Sequence, residues 1–128
     1  MQTKATVIFA DEISKLLSSR LPINNSVIPL SIILKTMRYH LEDDELSFKK
    51  LYSEVKSSEI GARIHVSRLV NTNWIQIEKS TYDFRVKVIK PTTKMLETFK
   101  QLSNEIKAKV PIYEEKRKVL NFRNFIKN

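Results

Sequence analysis

A single hairpin interrupts a sequence whose apolar residues otherwise repeat with helical spacing. Residues 74–77 and 84–89 are rich in β-branched and aromatic side chains, and the polar segment 78–83 separates them. We therefore predict two antiparallel strands joined by an extended loop. This hairpin follows a basic helical stretch and precedes a Pro-Thr pair at residues 91–92, so it is expected to project between helices.

The loop of this hairpin is charged. Its tip carries Lys79 and Arg85 together with Tyr82, and an arginine that enters the narrow minor groove of DNA gains from the negative potential there. Asp83 would repel phosphate if it faced DNA, so we expect it to orient a nearby arginine or to accept hydrogen bonds from turn amides. The hairpin is thus predicted to be a wing that contacts DNA.

Two helices with clear apolar stripes are predicted in the N-terminal third. Their stripes consist of Phe9, Ile13, Leu16 and Leu17 in the first helix and Leu30, Ile33, Leu34, Met37 and Leu41 in the second. The acidic segment 42–45 ends the second helix. We interpret this segment as a solvated linker, because a metal site would need ligands that converge from elsewhere.

Two shorter helices come next. Ser47 can cap a helix, since its hydroxyl can accept a hydrogen bond from an unpaired amide of the first turn. The apolar residues of that helix follow the i, i+3, i+4, i+7 spacing and are Phe48, Leu51, Tyr52 and Val55. A polar interruption at 56–58 separates it from a fourth helix at 59–71. The pattern predicts a helix-turn-helix.

The two faces of the fourth helix differ. At about 100° per residue, its packing face consists of Ala62, Val66, Leu69 and Val70. The remainder offers arginine, serine and asparagine beside the small Gly61, which suits insertion into a major groove. Ile64 also lies on this outward face. It is either half-buried by a neighbouring element or free to touch a thymine methyl group.

The junction between this helix and the hairpin reads Asn73-Trp74-Ile75. Asn73 is predicted to adopt a left-handed backbone conformation, which asparagine tolerates better than other non-glycine residues. Trp74 and Ile75 are expected to enter the core. Trp74 could instead be a platform for base stacking, but a bulky aromatic residue just beyond a helix end is more often a packing anchor.

Charge and size narrow the class of protein. The chain has 128 residues and a net charge of +9, of which residues 47–100 contribute +6. This surplus indicates a polyanionic partner, either nucleic acid or an anionic membrane face, although a solvated lysine-rich surface has the same composition. A single core fits the length, so we predict one domain over 1–128, with N-terminal helices in 1–46, the helix-turn-helix and wing in 47–90, and C-terminal helices in 91–128.

Several classes of site are disfavoured. Gly61 is the only glycine, which excludes glycine-rich phosphate loops and dinucleotide fingerprints, and the absence of cysteine excludes thiolate zinc sites and disulfides. His40 and His65 are the only histidines, and no serine has the context of a nucleophile elbow. We predict no enzyme, no cofactor and no metal. No segment has the character of a signal peptide or membrane span, so a cytoplasmic protein without a membrane partner is expected.

The C-terminal third carries two further apolar stripes. They consist of Met95, Phe99, Leu102 and Ile106 in one case and Ile112, Val119, Phe122 and Ile126 in the other. Together they exceed what one small core can cover, so burial against a second copy is expected. Packing onto the first two helices is the alternative.

The order of these features resembles the MarR-type winged-helix transcriptional regulators. The resemblance lies in the helix-turn-helix, the Asp83-x-Arg85 triplet in the wing and the Pro91–Thr92 pair that opens a long helix. Asn73 stands where that family usually has glycine. The resemblance implies a homodimer on a palindromic DNA operator, with each recognition helix in a major groove and each wing over the flanking minor groove. It also implies a mainly α fold with a small β-hairpin and dimerisation through the N- and C-terminal helices.

These predictions define two sets of residues. The candidate DNA-binding residues are Ser57, Ser58, Arg63, Ile64, His65, Ser67, Arg68, Lys79, Tyr82, Arg85 and Lys87. The candidate dimer-interface residues are Phe9, Ile13, Phe99, Leu102, Ile106, Val119, Phe122 and Ile126. Two alternatives stay open: a plasmid or phage replication or segregation protein that binds DNA, and a winged-helix module that docks an acidic protein. A small-molecule effector is not predictable from these residues.

Overall fold

The computed structural model of this chain describes the backbone of residues 2–127 and the side chains of residues 2–111. Over these residues it has five helices and a small antiparallel sheet, which confirms the predicted mainly α class. The elements are α1 (Gln2–Arg20), α2 (Val27–Leu41), β1 (Leu46–Ser47), α3 (Phe48–Glu54), α4 (Glu59–Asn71), β2 (Ile75–Lys79), β3 (Lys87–Pro91) and α5 (Thr93–Lys127).

The chain divides into two compact units, one formed by residues 22–97 and the other by residues 1–21 with 98–128. The first unit contains the predicted helix-turn-helix and wing. Its core lies between α2, α3, α4 and the sheet, and its most completely buried large side chains are Ile32, Ile33, Leu46, Leu51, Ile75, Val88 and Met95. The single domain that composition predicts stays a prediction.

The sheet has three strands in the order β1-β3-β2. The predicted hairpin is present, but its strands lie at 75–79 and 87–91, and the short edge strand β1 was not predicted. In register, Lys79 faces Lys87 and Ile77 faces Ile89, while Leu46 of β1 faces Ile89 from the other side. The loop of the wing is therefore 80–86, and Lys79 belongs to a strand rather than to the tip.

The predicted stripe on α2 is only partly correct. Ile33 and Met37 are buried as expected, but Leu34 and Leu41 are exposed. The buried face instead includes Thr36, whose hydroxyl donates to the carbonyl oxygen of Ile32 at 2.7 Å. A threonine that satisfies its own hydroxyl in this way can occupy a core position, and the buried face includes Pro29 and Ile32 rather than Leu34 and Leu41.

The helix-turn-helix has the predicted bounds. Ser47 caps α3 by accepting a hydrogen bond from the amide of Lys50 at 3.2 Å. Ser58 caps α4 in the same way, with the amide of Gly61 at 3.1 Å. A Cβ atom at Gly61 would lie 3.0 Å from the hydroxyl oxygens of both Ser57 and Ser58. Glycine at this position therefore lets the turn approach α4 closely.

The end of α4 confirms the left-handed asparagine. Asn73 has a φ of 64°, its amide donates to the carbonyl of Val70 at 3.0 Å, and the amide of Trp74 donates to the carbonyl of Leu69 at 2.9 Å. This pair of bonds is a Schellman motif, in which the left-handed residue turns the chain out of the helix. Ile75 is buried as predicted.

The prediction that Trp74 enters the core is wrong, because its side chain is half-buried. The ammonium of Lys94 lies 4.3 Å from the centroid of its ring, and the same ammonium donates to the carbonyl of Thr72 at 3.1 Å. The ring therefore packs on one side and carries a cation on the other. This occupancy also disfavours the alternative of an open base-stacking platform.

Thr92 connects the end of α4 to the start of α5. Its buried hydroxyl donates to the carbonyl of Asn73 at 2.7 Å and lies 3.0 Å from that of Trp74. The same oxygen accepts a hydrogen bond from the amide of Met95 at 3.3 Å. The long helix therefore begins at Thr93, as the Pro91–Thr92 pair predicted.

Glu45 ties the segment after α2 to the wing, so the interpretation of this segment as a solvated linker is wrong for that residue. One carboxylate oxygen of Glu45 accepts a hydrogen bond from the Ser80 hydroxyl at 2.5 Å, and the other accepts from the Thr81 amide at 3.0 Å and hydroxyl at 3.3 Å. Hydrogen bonds from Ser80 and then Thr81 hold the pKa of the Glu45 carboxyl below its ordinary value.

The unit formed by residues 1–21 and 98–128 contains α1 and most of α5. The two helices run antiparallel, because Glu12 pairs with Lys109 at 3.2 Å and Arg20 pairs with Glu105 at 3.1 Å. Leu102 is buried within the chain itself. Its assignment to a dimer interface is therefore wrong, since it has no surface left to offer a second copy.

The other residues predicted for the dimer interface fall into two groups. Phe9, Ile13, Phe99 and Ile106 are half-buried in the single chain, so each keeps apolar surface that a second copy could cover. Val119, Phe122 and Ile126 lie outside the residues whose side chains are described, as does Ile112.

We predict that the backbone at residue 73 discriminates between substitutions. Asn73→Ala should lower the free energy of unfolding by about 1 kcal/mol. Alanine has a Cβ atom that is strained in the left-handed region, and it lacks the polar side chain with which asparagine can hydrogen-bond locally. Asn73→Gly should stay within about 0.5 kcal/mol of the parent. Urea denaturation measures both, with Asn71→Ala inside α4 as the control. Equal stability of Asn73→Ala and Asn73→Gly would contradict the assignment.

We also predict a pH-dependent contribution of Glu45. A carboxyl whose pKa is lowered on folding stabilises the native state above its ordinary pKa, and this stabilisation is lost as the pH falls through the lower, folded-state value. The urea concentration at the midpoint of unfolding should therefore be lower for Glu45→Gln than for the parent at pH 7. This difference in midpoint should disappear below about pH 4. Glu42→Gln is the control, since Glu42 makes only an exposed pair with Arg38. A gap of the same size at pH 3 and pH 7 would rule out the ionised anchor.

Candidate nucleic-acid interface

The outward face of α4 is a continuous exposed arc. Six exposed residues lie within about 140° at 100° per residue, with the exposed Glu59 just beyond Arg63, and they are Ile60, Arg63, Ile64, Ser67, Arg68 and Asn71. On the opposite side Ala62, Val66 and Leu69 are buried, as the packing face predicted. Val70 is half-buried. This arc, defined by its six exposed members, is referred to below as the outward face.

The two arginines lie at opposite margins of the outward face and differ in their partners. The Arg63 guanidinium is 2.7 Å from the carboxylate of Glu59 and lies 5.6 Å from the ring centroid of Tyr52. Arg68 makes no ion pair within residues 2–111, and its side chain is exposed. Arg68 is therefore the more available of the two for an external anion.

Ile64 is exposed on the outward face of α4. Its exposed fraction is 54%, and that of Ile60, one turn earlier, is 74%. Of the two interpretations that the sequence left open for Ile64, this exposure favours the one in which the side chain is available to a thymine methyl group. Ile60 was missed, although it falls on the same helical stripe four residues away.

The remaining predicted residues around α4 have mixed environments. The Ser58 hydroxyl is engaged as the cap of α4, and the Ser57 hydroxyl donates to the carbonyl of Ser58 at 3.1 Å. Both serines therefore shape the turn. His65 is half-buried at the edge of the packing face, whereas Ser67 is exposed on the outward face.

A concave surface joins α3, α4 and the wing strands on one side of the unit. It has a volume of about 470 Å³, and its lining residues are Phe48, Tyr52, Arg63, Val66, Ser67, Val70, Asn71, Ile77 and Lys87. Residues from α4 and from both wing strands thus open toward the same side. The concave surface therefore combines α4 with the strands of the wing, while the predicted DNA interface stays a prediction.

Lys79 and Lys87 form a like-charge pair at the stem of the wing. They are direct partners across β2 and β3, and both are exposed. Neither makes an ion pair with any other residue in the described range 2–111. Alternation along a strand places them on the same sheet face as Ile77, which lines the concave surface beside α4. Two uncompensated ammonium groups therefore lie side by side next to the helix.

The wing tip holds an arginine in a fixed orientation. The Asp83 carboxylate accepts from the Arg85 amide at 3.0 Å and from its guanidinium at 3.1 and 3.2 Å. Hydrogen bonds from the Arg85 guanidinium and then from its amide lower the pKa of Asp83. Both roles expected for Asp83 are thus present. Beside this pair, Tyr82 and Phe84 are exposed.

Two of these features were missed by sequence reasoning. Phe84 was placed inside a strand, but it lies in the loop as an exposed aromatic residue of the tip. Glu45 was assigned to a linker, although it anchors Ser80 and Thr81. The length of the polar segment alone could not locate the loop ends, because strand pairing and not composition sets them.

The described residues contain neither a cluster of metal-ligating side chains nor a helix suited to span a membrane. No group of three or more histidine, cysteine, aspartate or glutamate side chains among them could hold a metal ion. No helix within the same residues is both long enough and apolar enough to cross a membrane.

Comparisons with known proteins identify the fold. No protein-family model matches the sequence, and no curated protein matches it. Solved structures do match. A mutant of S. aureus MepR bound to an oligodeoxyribonucleotide aligns with a TM-score of 0.64 at 14% identity, covering 99% of this chain and 96% of that one. YusO from Bacillus subtilis aligns at 0.62 and 14% identity, covering 97% and 87% of the two chains.

A third structure carries the family description in words. AbsC, a MarR family transcriptional regulator from Streptomyces coelicolor, aligns with a TM-score of 0.56 at 18% identity, covering 87% of this chain and 72% of that one. The first of these alignments covers nearly the whole chain, and with it the helix-turn-helix, the wing and the flanking helices α1 and α5. The chain has the winged-helix fold of the MarR family of transcriptional regulators.

Proposed function

We propose that this protein is a sequence-specific, double-stranded DNA-binding regulator of transcription that acts as a homodimer. In this proposal α4 enters the major groove and the wing lies over the adjacent minor groove. The observation that carries it is the Lys79–Lys87 pair, which places two unpaired cations beside the outward face of α4.

Electrostatics favours a polyanion at this position. Like charges directly opposite each other in a sheet destabilise the pair, and the described chain supplies no carboxylate to either lysine. A phosphate group between them would relieve the repulsion and release counterions from the DNA. By contrast, Lys90 on the other face of the same strand pairs with Glu78 at 3.3 Å. Compensation is thus available on one face of the wing strands but is missing for Lys79 and Lys87 on the other face.

The outward face of α4 has the chemistry that base readout requires. A helix fits the major groove, where each base pair shows a distinct pattern of donors, acceptors and methyl groups. Ser67 and Asn71 bring hydroxyl and amide groups to the middle of that face, and Arg68 brings an unpaired guanidinium to its margin. Arg63 is the less available arginine, because Glu59 and Tyr52 already engage it.

The wing tip has the chemistry of a minor-groove contact. Arg85 is exposed, and Asp83 engages one edge of its guanidinium. That clamp limits the rotamer freedom that an extended arginine would otherwise lose on binding. The free edge can then enter a narrow minor groove, where the potential is most negative.

The fold comparison gives additional support. The S. aureus MepR mutant that aligns with nearly the whole chain was solved with an oligodeoxyribonucleotide bound. The present chain shares that fold and carries exposed cations of its own, so we extend duplex binding to it as part of the proposal. Fold alone does not determine function, so the proposal rests on the residues of the outward face and wing.

The homodimer rests on the unit that contains α1 and most of α5. Phe9, Ile13, Phe99 and Ile106 stay half-exposed in the single chain. Val110, one turn beyond Ile106 on the same stripe, is 40% exposed. An apolar stripe of this kind is covered when two copies pack through the same surface, and that two-fold symmetry would match a palindromic operator.

We predict opposite effects of Lys79→Gln on stability and on DNA binding. Removing one ammonium relieves the repulsion in the free protein, so the free energy of unfolding should rise by a few tenths of a kcal/mol. Removing a phosphate contact should weaken binding to a selected duplex and reduce the slope of log affinity against log salt by about 1. Urea denaturation and fluorescence anisotropy over a KCl series measure the two effects.

Lys90→Gln is the matched control for this experiment, because Lys90 lies in the same hairpin but pairs with Glu78. It should not raise stability, and it should leave the salt slope unchanged. A Lys79→Gln variant with the parent's affinity and salt slope would remove the wing stem from the interface. Failure of the parent to select any duplex from a random pool would refute the proposed function as a whole.

We predict that the parent sediments as a dimer and that Val110→Glu weakens the dimer. The substitution places a charge on the apolar stripe without disturbing the core, since Val110 is partly exposed. Sedimentation equilibrium measures the mass, and circular dichroism verifies that helix content is retained. Val27→Glu introduces the same charge at an exposed position of α2 and should stay dimeric. A monomeric parent, or equal masses for Val110→Glu and the parent, would contradict this interface.

A further inference from the structure

Two exposed isoleucines share the middle of the outward face of α4 with Ser67 and Asn71. Ile60 and Ile64 are 74% and 54% exposed, and at about 100° per residue they lie near the middle of the arc. Arg63 and Arg68 lie at its two margins. If α4 enters a major groove, the isoleucines would face base edges more directly than either arginine does.

We infer that Ile60 and Ile64 read the C5-methyl groups of thymines, so that each half-site of the DNA target carries thymine at the positions opposite them. This inference rests on the proposed function and specifies which bases that function selects. The cationic surface alone would bind duplexes of any sequence. Apolar contacts from the two isoleucines would add a preference for particular bases.

The chemistry of the major groove leaves isoleucine one favourable partner among the four bases. Guanine, adenine and cytosine present hydrogen-bonding groups there, whereas thymine adds a methyl group. An isoleucine pressed against the polar groups would remove water from them without supplying a hydrogen bond, which is unfavourable. Against a methyl group the same side chain buries apolar surface on both partners. The isoleucines therefore reject other bases as well as favouring thymine.

The charges around the two isoleucines suit a polyanion such as DNA rather than an apolar protein partner. The neighbouring carboxylate of Glu59 is already paired with Arg63 at 2.7 Å, so it adds little repulsion toward phosphate. Arg68 and the Lys79–Lys87 pair remain without ion-pair partners within residues 2–111. Exposed isoleucines with cations around them match a groove whose floor carries methyl groups and whose walls carry phosphates.

The helix also sets the spacing of the two contacts. Side chains four residues apart on a helix lie roughly 6 Å from each other, and successive bases in a strand are separated by about 3.4 Å along the axis. The two contacted thymines should therefore lie within about three base pairs of each other in a half-site, on either strand.

Deoxyuridine tests this inference, because it lacks only the methyl group of thymine and keeps the same pairing. A duplex selected from a random pool would be remade with each thymine replaced singly by deoxyuridine. For the parent, replacement at one or two positions per half-site should weaken binding about fourfold each, the effect of about 0.8 kcal/mol for one buried methyl-sized group. The salt slope should not change, since no phosphate contact is lost.

Alanine variants connect each methyl group to a side chain. In Ile64→Ala the loss of affinity caused by deoxyuridine should disappear at one position, and in Ile60→Ala it should disappear at the other. Once the isoleucine has been removed, removing the methyl group that it contacts costs nothing further. Val27→Ala is the matched control, since Val27 is also β-branched and is 78% exposed on α2. It should keep every penalty of the parent. Circular dichroism verifies that all three variants are folded.

The outcomes separate this inference from the proposed function. Specific binding by the parent that is indifferent to deoxyuridine everywhere would overturn the methyl readout and leave the proposed function intact. So would selected half-sites without thymine, or penalties that persist unchanged in both Ile60→Ala and Ile64→Ala. A parent that prefers no duplex would overturn the two proposals together.

Discussion

A carboxylate from the segment after α2 holds the loop of the wing in place. Ser80 is buried, and its hydroxyl donates to Glu45 while accepting hydrogen bonds from the amides of Tyr82 and Asp83 at 3.0 and 3.2 Å. One hydroxyl therefore connects the acid to the backbone of the tip. Because the tip also carries Arg85, the position of that guanidinium depends on a residue that lies before α3 in the chain. A wing without this anchor would lose orientation before it lost its strands.

Local signals account for the parts of the fold that the sequence predicts well. The bounds of α4, the cap at Ser47 and the left-handed Asn73 depend on residues within a few positions of each other, and the structure has all three. The failures involve partners far apart in sequence. Glu45 contacts Ser80 only after the chain has folded, and Thr36 takes a buried position in α2 with its hydroxyl bonded to the Ile32 carbonyl. The sequence predicts local structure from neighbouring residues, but it does not predict which distant side chains will contact each other.

The same distinction applies to the candidate interface. The outward face of α4 follows from helical periodicity, and the Glu59–Arg63 pair could be read from its i, i+4 spacing. The pairing of Lys79 with Lys87 could not, because it depends on register. A shift of one residue in β3 would send one ammonium to the opposite face of the sheet, and the polar loop between the strands does not specify that register by composition. The feature that carries the proposed function is thus a product of strand pairing.

Affinity and selectivity are assigned to different side chains in this arrangement. Cations at the margins, such as Arg68 and the lysine pair, interact with phosphates that every sequence presents, so they attract any duplex. A surface that served only that purpose would gain nothing from isoleucines in the middle of the helix, because their exposure to water is unfavourable. Polar residues there would suit the free protein better. The exposed apolar pair at Ile60 and Ile64 is therefore best explained by a groove floor that offers methyl groups, and it is this pair that would convert general attraction into choice of sequence.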